Sequence, residues 1–272
     1  MDRYAVMGNP VAHSKSPLIH RLFAQQTGQM LGYEAILVAA DDFENAVTRF
    51  QQAGGKGLNI TVPFKQQAWQ LAATHSDRAQ RAGAVNTLLL QADGRHIGDN
   101  TDGAGLVRDL THNQGVNLTG KRVLLVGAGG AARGVIEPLL GERPALLVIA
   151  NRTADKAIQL ARRFCDLGHT EGCGLDATAG QSFDVIINAT AASLNGQVPA
   201  LPNDVITPAS WCYDMMYANR PTAFMEWAQQ RGAGHCVDGL GMLVEQAAES
   251  FLLWRDIRPQ TAAVIAALRQ PA

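Results

Sequence analysis

The feature that most constrains this chain is a run of four apolar residues, Val123-Leu124-Leu125-Val126, leading directly into Gly127-Ala128-Gly129-Gly130-Ala131-Ala132-Arg133. An apolar run entering G-x-G-x-x-A predicts a buried parallel strand, a tight glycine turn and a helix N-terminus. Gly127 serves the turn, Gly129 lets backbone approach a pyrophosphate, and Ala132 keeps the helix close to the strand. The free N–H groups of a helix start, with their partial positive charge, suit phosphate oxygens. A second apolar run, Ala145–Ala150, follows one helix length later and ends in Asn151-Arg152-Thr153. Enzymes that use NAD place Asp or Glu there to hold the ribose 2′-hydroxyl. Here Arg152 and Thr153 occupy that place, with Lys156 one turn on. A guanidinium and an ammonium suit a 2′-phosphate, so the pattern predicts NADP(H).

The 272 residues are enough for two ordinary domains, and 47% apolar with 17% charged residues is the balance of a compact enzyme rather than a disordered chain. A net charge of −1 supplies no basic field for nucleic acid or anionic lipid. The start, Met1-Asp2-Arg3-Tyr4, does not read as a secretory leader, and no stretch of about 18 apolar residues suggests a membrane span. Cys165, Cys173, Cys212 and Cys236 show no C-x-x-C spacing. Cys165, His169 and Cys173 are evenly spaced, but Gly168, Gly172 and Gly174 would break a helix carrying three ligands. The expectation is a loop with free thiols in a reducing cytoplasm, and no metal.

Apolar runs alternate with helical patterns throughout, which predicts α/β architecture with parallel sheets. Strands are expected at Tyr4–Met7, Tyr33–Val38 and Leu58–Val62, with helices over Pro17–Gln26, Asp42–Ala53 and Phe64–Leu71. Ser16-Pro17 reads as an N-cap followed by proline at the first helical position. Val85–Leu90 and His96–Ile97 read as a hairpin turned at Asp93-Gly94. A helix over Gly103–Asn113 leads to the glycine motif, further strands are expected at Leu146–Ala150, Val185–Asn188, Cys212–Asp214 and near Cys236-Val237, and helices over Gly241–Trp254 and Gln260–Leu268 end the chain. Two domains follow: an open α/β domain over about 1–101, and a Rossmann-like one over about 102–238, with a cleft between them as the natural site.

Polar residues gather where these strands end or helices begin, the edge at which open α/β sheets bind ligands. They are Gly8-Asn9-Pro10 with Ser14-Lys15-Ser16, Asn59-Ile60-Thr61-Val62-Pro63-Phe64-Lys65, Ala84-Val85-Asn86-Thr87, and Gly98-Asp99-Asn100-Thr101-Asp102-Gly103. Each has a plain structural alternative. Ser14 and Ser16 are helix caps on that view, Lys65 a solvated lysine, Asp102 an N-cap, and Asn86 a turn residue.

Taken together, these segments closely resemble the shikimate dehydrogenase family. The resemblance continues through Gly127–Arg133, Asn151-Arg152-Thr153, Asn188-Ala189-Thr190, Tyr213-Asp214-Met215, Tyr217 and Asp238-Gly239-Leu240-Gly241-Met242-Leu243 with Gln246. It implies NADPH-dependent, reversible reduction of 3-dehydroshikimate to shikimate on the route to aromatic amino acids. It implies Lys65 and Asp102 as the catalytic pair. Ser14 and Ser16, with Tyr217 nearby, would hold the substrate carboxylate, and Thr61, Asn86, Asp102 and Gln246 would read the ring hydroxyls. Gly127, Ala128, Gly129, Gly130 and Ala131 would cradle the pyrophosphate. Asn151, Arg152, Thr153 and Lys156 would surround the adenosine phosphate, while Met215 and Gly239 line the nicotinamide end. It also implies C-terminal helices returning to the first domain (1–101 plus 239–272), and a cytoplasmic monomer or homodimer.

The chain departs from the family pattern at Ala191-Ala192 after Thr190 and at Thr222-Ala223-Phe224, both outside the catalytic set. Two competing readings are a quinate/shikimate dehydrogenase using NAD and a non-catalytic NADP-binding regulator. Arg152 and Lys156 speak against the first, and retention of both Lys65 and Asp102 against the second.

Overall fold

The computed structural model of the chain describes residues 1–270, the Leu194 side chain excepted. Two compact units divide the chain: Met1–Gly105 together with the segment from Leu243 onward, and Leu106–Met242. The chain passes between them inside two helices rather than in loops.

The first unit begins with β1 (Asp2–Gly8), α1 (Ser16–Thr27), β2 (Leu31–Leu37), α2 (Phe43–Gln52), β3 (Gly55–Ile60) and α3 (Lys65–Leu71). It continues through β4 (Thr74–His75), α4 (Asp77–Ala82), β5 (Thr87–Leu90) and β6 (His96–Asp99) into α5 (Asp102–Arg108). The sheet order is β2-β1-β3-β5-β6-β4. Strand β1 runs parallel to both neighbours, while β5 is antiparallel to β3 and to β6, as the Asp93-Gly94 hairpin predicts. The sheet is therefore mixed rather than purely parallel.

The second unit contains β7 (Arg122–Val126), α6 (Gly130–Gly141), β8 (Leu146–Asn151), α7 (Ala154–Arg163), β9 (Thr170–Gly174), β10 (Val185–Asn188), β11 (Trp211–Asp214), α8 (Ala223–Gln230) and β12 (His235–Asp238). Its order, β12-β11-β10-β7-β8-β9, is all parallel. Read from the other edge, this is the doubly wound dinucleotide-binding order, with the switch point between β7 and β10. The apolar run of β7 is continuous because both sheet faces are covered. Val123 and Leu125 join one buried cluster, and Leu124 and Val126 the other.

The last helices, α9 (Leu240–Arg255) and α10 (Ala262–Arg269), supply most of their length to the first unit. Val244, Ala247, Ala248 and Phe251 of α9 and Val264 of α10 bury against Ile19 and Phe23 of α1. That apolar stripe explains why the chain returns.

Four local expectations need correction. Lys15, not Ser16, is the N-cap of α1; Ser16 is its first residue, and Ser14 Oγ accepts the Ser16 N–H at 3.2 Å. The helix expected over 103–113 is helical to Asn113, but it ends as α-helix at Arg108 and widens into a π turn over Asp109–Asn113. There the buried Asp109 carboxylate accepts the Tyr213 hydroxyl at 2.6 Å. The segment holding Cys173 is strand β9, not loop. Strand β4 and helix α4, for which the sequence reading had no element, complete the first sheet's far edge. Among the described residues, no group of three or more His, Cys, Asp or Glu could hold a metal, and no helix is long and apolar enough to cross a membrane.

Candidate active site

In the first unit, the ends of β3, β5 and β6 carry their polar residues to one place. Phe64 is fully buried and stacks on Phe43 at 4.9 Å, which pins the backbone at the start of α3 and sets the base of Lys65. Lys65 Nζ forms an ion pair with Asp102 Oδ2; the two side chains are 17% and 8% exposed. Asp102 opens α5, and Asn100 Oδ1 accepts its N–H at 3.2 Å.

The loop before Asp102 is fixed by Asp99. Its carboxylate accepts Arg78 Nε at 2.7 Å and Nη2 at 2.6 Å, the Ser76 hydroxyl, and the Asn100 N–H at 2.6 Å. Burial alone would raise the Asp99 pKa, but the Arg78 guanidinium and these donors hold it below the usual carboxylate value.

Asn86, 2% exposed, lies at the centre of the group. Its Oδ1 accepts the Thr101 N–H at 2.9 Å and the Thr87 hydroxyl at 2.8 Å. Its Nδ2 donates to Asp102 Oδ1 at 2.8 Å, to Thr101 Oγ1 at 2.9 Å and, at 3.3 Å, to Gln246 Oε1. Gln246 reaches this point because α9 lies close against α5. A Cβ on Gly105 would stand 2.7 Å from both the Cβ and the backbone nitrogen of Gln246, so no larger residue fits.

The structure therefore brings Lys65, Asn86, Asp102 and Gln246 into one buried hydrogen-bonded cluster. Thr61 follows β3, half-buried, and Ser14 and buried Ser16 stand at the start of α1. Tyr217 belongs to the second unit, in the loop after β11. The plain alternatives fare unevenly. Ser14 does satisfy a helix-start N–H, so capping and ligand binding are both served by that position. Lys65 is not a solvated surface lysine, because it is largely enclosed and paired.

The second unit presents a different edge. Gly127 turns the chain after β7 with φ +116°, a conformation that side-chain-bearing residues rarely adopt, and its N–H donates to Ala150 O at 2.8 Å. Gly129 is the N-cap of α6 and makes no side-chain cap, so the first N–H groups of the helix are open. A Cβ built on Gly129 or Gly130 meets nothing within 4 Å, while Ala132 is fully buried. Ala128 is buried and Ala131 half-buried. Asn151 ends β8 and donates to Thr153 O at 3.0 Å. Arg152, Thr153 and Lys156 are exposed, and neither cation forms an ion pair among the described residues. An open glycine turn at a helix start, flanked by two uncommitted cations, fits the pyrophosphate and 2′-phosphate of NADP.

At the C-terminal ends of β10, β11 and β12, buried Asp214 gathers the loops. It accepts Asn188 Nδ2 at 3.1 Å, the Met216 N–H at 3.1 Å, and the Ser193 and Thr222 hydroxyls, each at 2.6 Å. Burial raises its pKa, against the pull of those donors. Met215 is buried beside it, and the Gly239 N–H donates to Met216 O at 3.0 Å. The two departures from the family pattern lie here. Beyond Ala191-Ala192, Ser193 supplies a hydroxyl to Asp214, and Thr222 caps α8 through the Met225 N–H.

Asn59 and Thr101, expected among the polar residues at this edge but given no role, join the buried cluster, as do Tyr33 and Ser250, which the sequence does not single out. Ser250 was discernible, since it follows Gln246 by one helical turn on α9 and so shares its face. Tyr33 gave no such signal; only the sheet order places β2 within reach of Asn59.

Fold and site together define a class: two-unit α/β dehydrogenases that pair a doubly wound nucleotide unit with a separate, mixed-sheet unit carrying ionisable groups. Within it, the shikimate dehydrogenase substrate binding domain model matches residues 6–88, the shikimate/quinate 5-dehydrogenase model residues 109–197, and the shikimate 5′-dehydrogenase C-terminal domain model residues 239–269. The chain is 60% identical over 268 residues to the shikimate dehydrogenase (NADP+) of Alkalilimnicola ehrlichii, covering 98% of each chain. An enzyme of Pseudomonas putida solved by crystallography is 49% identical with a TM-score of 0.93, covering 100% of this chain and 99% of that one. The Thermus thermophilus shikimate 5-dehydrogenase, crystallised with NADP(H) and shikimate, is 31% identical with a TM-score of 0.87, covering 99% of each. The chain belongs to the shikimate dehydrogenase family.

Proposed function

We propose that this chain catalyses the reversible, NADPH-dependent reduction of 3-dehydroshikimate to shikimate, the step that serves aromatic amino acid biosynthesis. The observation that carries the reading is the enclosed Lys65–Asp102 ion pair, held by Asn86 in a cluster of alcohol- and amide-bearing side chains. The first unit, with its division from the second at Gly105 and Leu243 rather than at the expected 101 and 239, takes the substrate, and the second, Leu106–Met242, takes the cofactor.

Reduction of a ketone creates an alkoxide that must gain a proton. When bound, NADPH supplies the hydride. The Lys65 ammonium gives its proton to the forming alkoxide oxygen, and the amine takes it back from the alcohol in the reverse direction. Asp102 orients the Lys65 head through their ion pair and keeps a lone pair for a neighbouring substrate hydroxyl. Asn86, Gln246 and Thr61 read the ring hydroxyls, and Ser14 and Ser16 receive the carboxylate.

In the second unit, the start of α6 from Gly127 to Ala131 binds the pyrophosphate. Asn151, Arg152, Thr153 and Lys156 bind the adenosine 2′-phosphate. Met215 and Gly239 line the nicotinamide end. We place the enzyme in the cytoplasm, as a monomer or homodimer. An absorbance assay at the NADPH band, with shikimate and quinate side by side and with NADP+ and NAD+, tests the reading. Turnover of shikimate with NADP+ well above the other three pairs is expected. Preference for quinate with NAD+ would replace the assignment, and ligand binding without turnover would point to a regulator.

A further inference from the structure

We propose that Tyr33 is a positioning residue for the Lys65–Asp102 pair, acting through the buried hydrogen-bond chain Asn59–Thr87–Asn86. The inference rests on the catalytic reading above and extends it to β2, the edge strand of the first sheet. The Tyr33 hydroxyl donates to Asn59 Oδ1 at 2.7 Å. Asn59 Nδ2 donates to Ser250 Oγ at 2.9 Å, to Thr87 Oγ1 at 3.2 Å and, more weakly, to Asn86 O at 3.4 Å. Thr87 Oγ1 donates to Asn86 Oδ1 at 2.8 Å, and Asn86 Nδ2 donates to Asp102 Oδ1 at 2.8 Å. The other Asp102 oxygen holds Lys65.

The sense of this chain is set at both ends by groups that have no choice. The Thr101 N–H can only donate, and it points to Asn86 Oδ1. The Asp102 carboxylate can only accept, and it faces Asn86 Nδ2. The carbonyl Asn86 O can only accept, so the Asn59 amide must turn its nitrogen inward and its oxygen toward Tyr33. A donor at Tyr33 is therefore what the inward-facing Asn59 requires. Without it, the oxygen of a side chain only 6% exposed loses that donor, and the amide is no longer pinned with its nitrogen toward Thr87. An unpinned Asn59 holds the Thr87 oxygen less firmly, and the Thr87 hydroxyl in turn holds Asn86 Oδ1 less firmly.

The Tyr33 ring is itself held in place. It stacks on the buried His20 ring at 4.1 Å with planes 5° apart. Burial keeps His20 uncharged, with its pKa lowered to about 3, and pushes the Tyr33 hydroxyl well above its ordinary pKa, so it stays a donor. Tyr33→Phe keeps that stack and removes one hydroxyl.

The test is a double-mutant cycle on kcat for shikimate oxidation by the full-length enzyme, with wild type, Tyr33→Phe, Asn86→Ala and the double variant. Loss of one buried hydrogen bond predicts that Tyr33→Phe lowers kcat roughly tenfold, with the NADP+ KM unchanged. In the Asn86→Ala background the same change should cost less than about twofold, because the link it works through is gone. An equal factor in both backgrounds, or an unaltered kcat in the single variant, overturns the proposal. If Tyr33→Phe does not fold, Thr87→Val cuts the chain one link further on and is read in the same cycle. Wild type that does not oxidise shikimate would refute the proposed function itself, whereas active wild type with an indifferent Tyr33→Phe refutes only this inference.

Discussion

The two units build their sites in opposite ways. In the first, Asn86, Asp102 and Lys65 are enclosed and spend their hydrogen bonds on each other, across sequence separations of 16, 37 and, to Gln246, 160 residues. In the second, Gly129, Gly130, Arg152 and Lys156 face open space and come from one short stretch of chain. A group that moves a proton must be oriented before the substrate arrives, and a buried, mutually hydrogen-bonded cluster supplies that orientation. A site that binds a polyanion needs donors and charge left uncommitted until the ligand comes. Mutations should divide along this line: changes in the Lys65–Asp102–Asn86 cluster act on kcat, and changes at Gly129, Gly130, Arg152 and Lys156 act on cofactor affinity and choice.

The largest effect expected is at Lys65. General acid–base help is worth ~10²–10⁴ in rate, so Lys65→Ala should lower kcat by that order and move the shikimate KM far less, in steady-state assays over both substrates. Arg152→Ala comes next. Loss of a charge-assisted contact to the 2′-phosphate should weaken NADPH use by roughly ten- to a hundredfold, with NADH use little changed. An equal loss with both cofactors would move the phosphate site elsewhere and blur the comparison.

Smaller effects concern stability. Arg78→Ala leaves Asp99, which is 6% exposed, without its cation and should cost roughly 3 kcal/mol at neutral pH. The folded Asp99 pKa is depressed, so its contribution is full above the unfolded carboxylate value near 3.9 and fades as pH falls through the lower folded value. The gap between wild type and Arg78→Ala in urea midpoints should therefore narrow in that acidic window. A gap independent of pH would show that Arg78 acts through packing. Smallest is Thr222→Ala, which removes a helix cap and one donor to Asp214. A loss of about 1 kcal/mol in thermal unfolding is expected, with the shikimate KM unchanged.

The same division explains how far the sequence alone could be read. The nucleotide unit was legible because its signal is local: an apolar run, a glycine turn and a cationic strand end fall within 35 residues. Strand β9 was not, since Thr170-Glu171-Gly172-Cys173-Gly174 has little β-propensity and pairs only along one edge. The residues of the catalytic cluster, the Lys65–Asp102 pairing and the return of the last helices were legible only through family resemblance, because composition does not say that α9 returns beside α5. Nothing in the composition of Leu240–Arg255 says where its apolar stripe will dock; Ile19 and Phe23 of α1 decide that. Tyr33 lay further out of sight, since its role exists only once β2, β1 and β3 are side by side. The start of α1 shows the limit of cap rules: Ser14 takes the Ser16 N–H from one position before the cap, where simple Ser-Pro reasoning does not look.

The central claim is that Lys65 and Asp102 work as one proton-handling unit on shikimate. The most direct measurement is kcat for NADP+-linked shikimate oxidation in wild type, Lys65→Ala, Asp102→Asn and the double variant. Each single change should lower kcat strongly, and the double variant should lose far less than the product of the two single factors. A double variant equal to that product, or a folded Lys65→Ala enzyme with near-normal kcat, would contradict it and leave Asp102 or a water as the proton carrier.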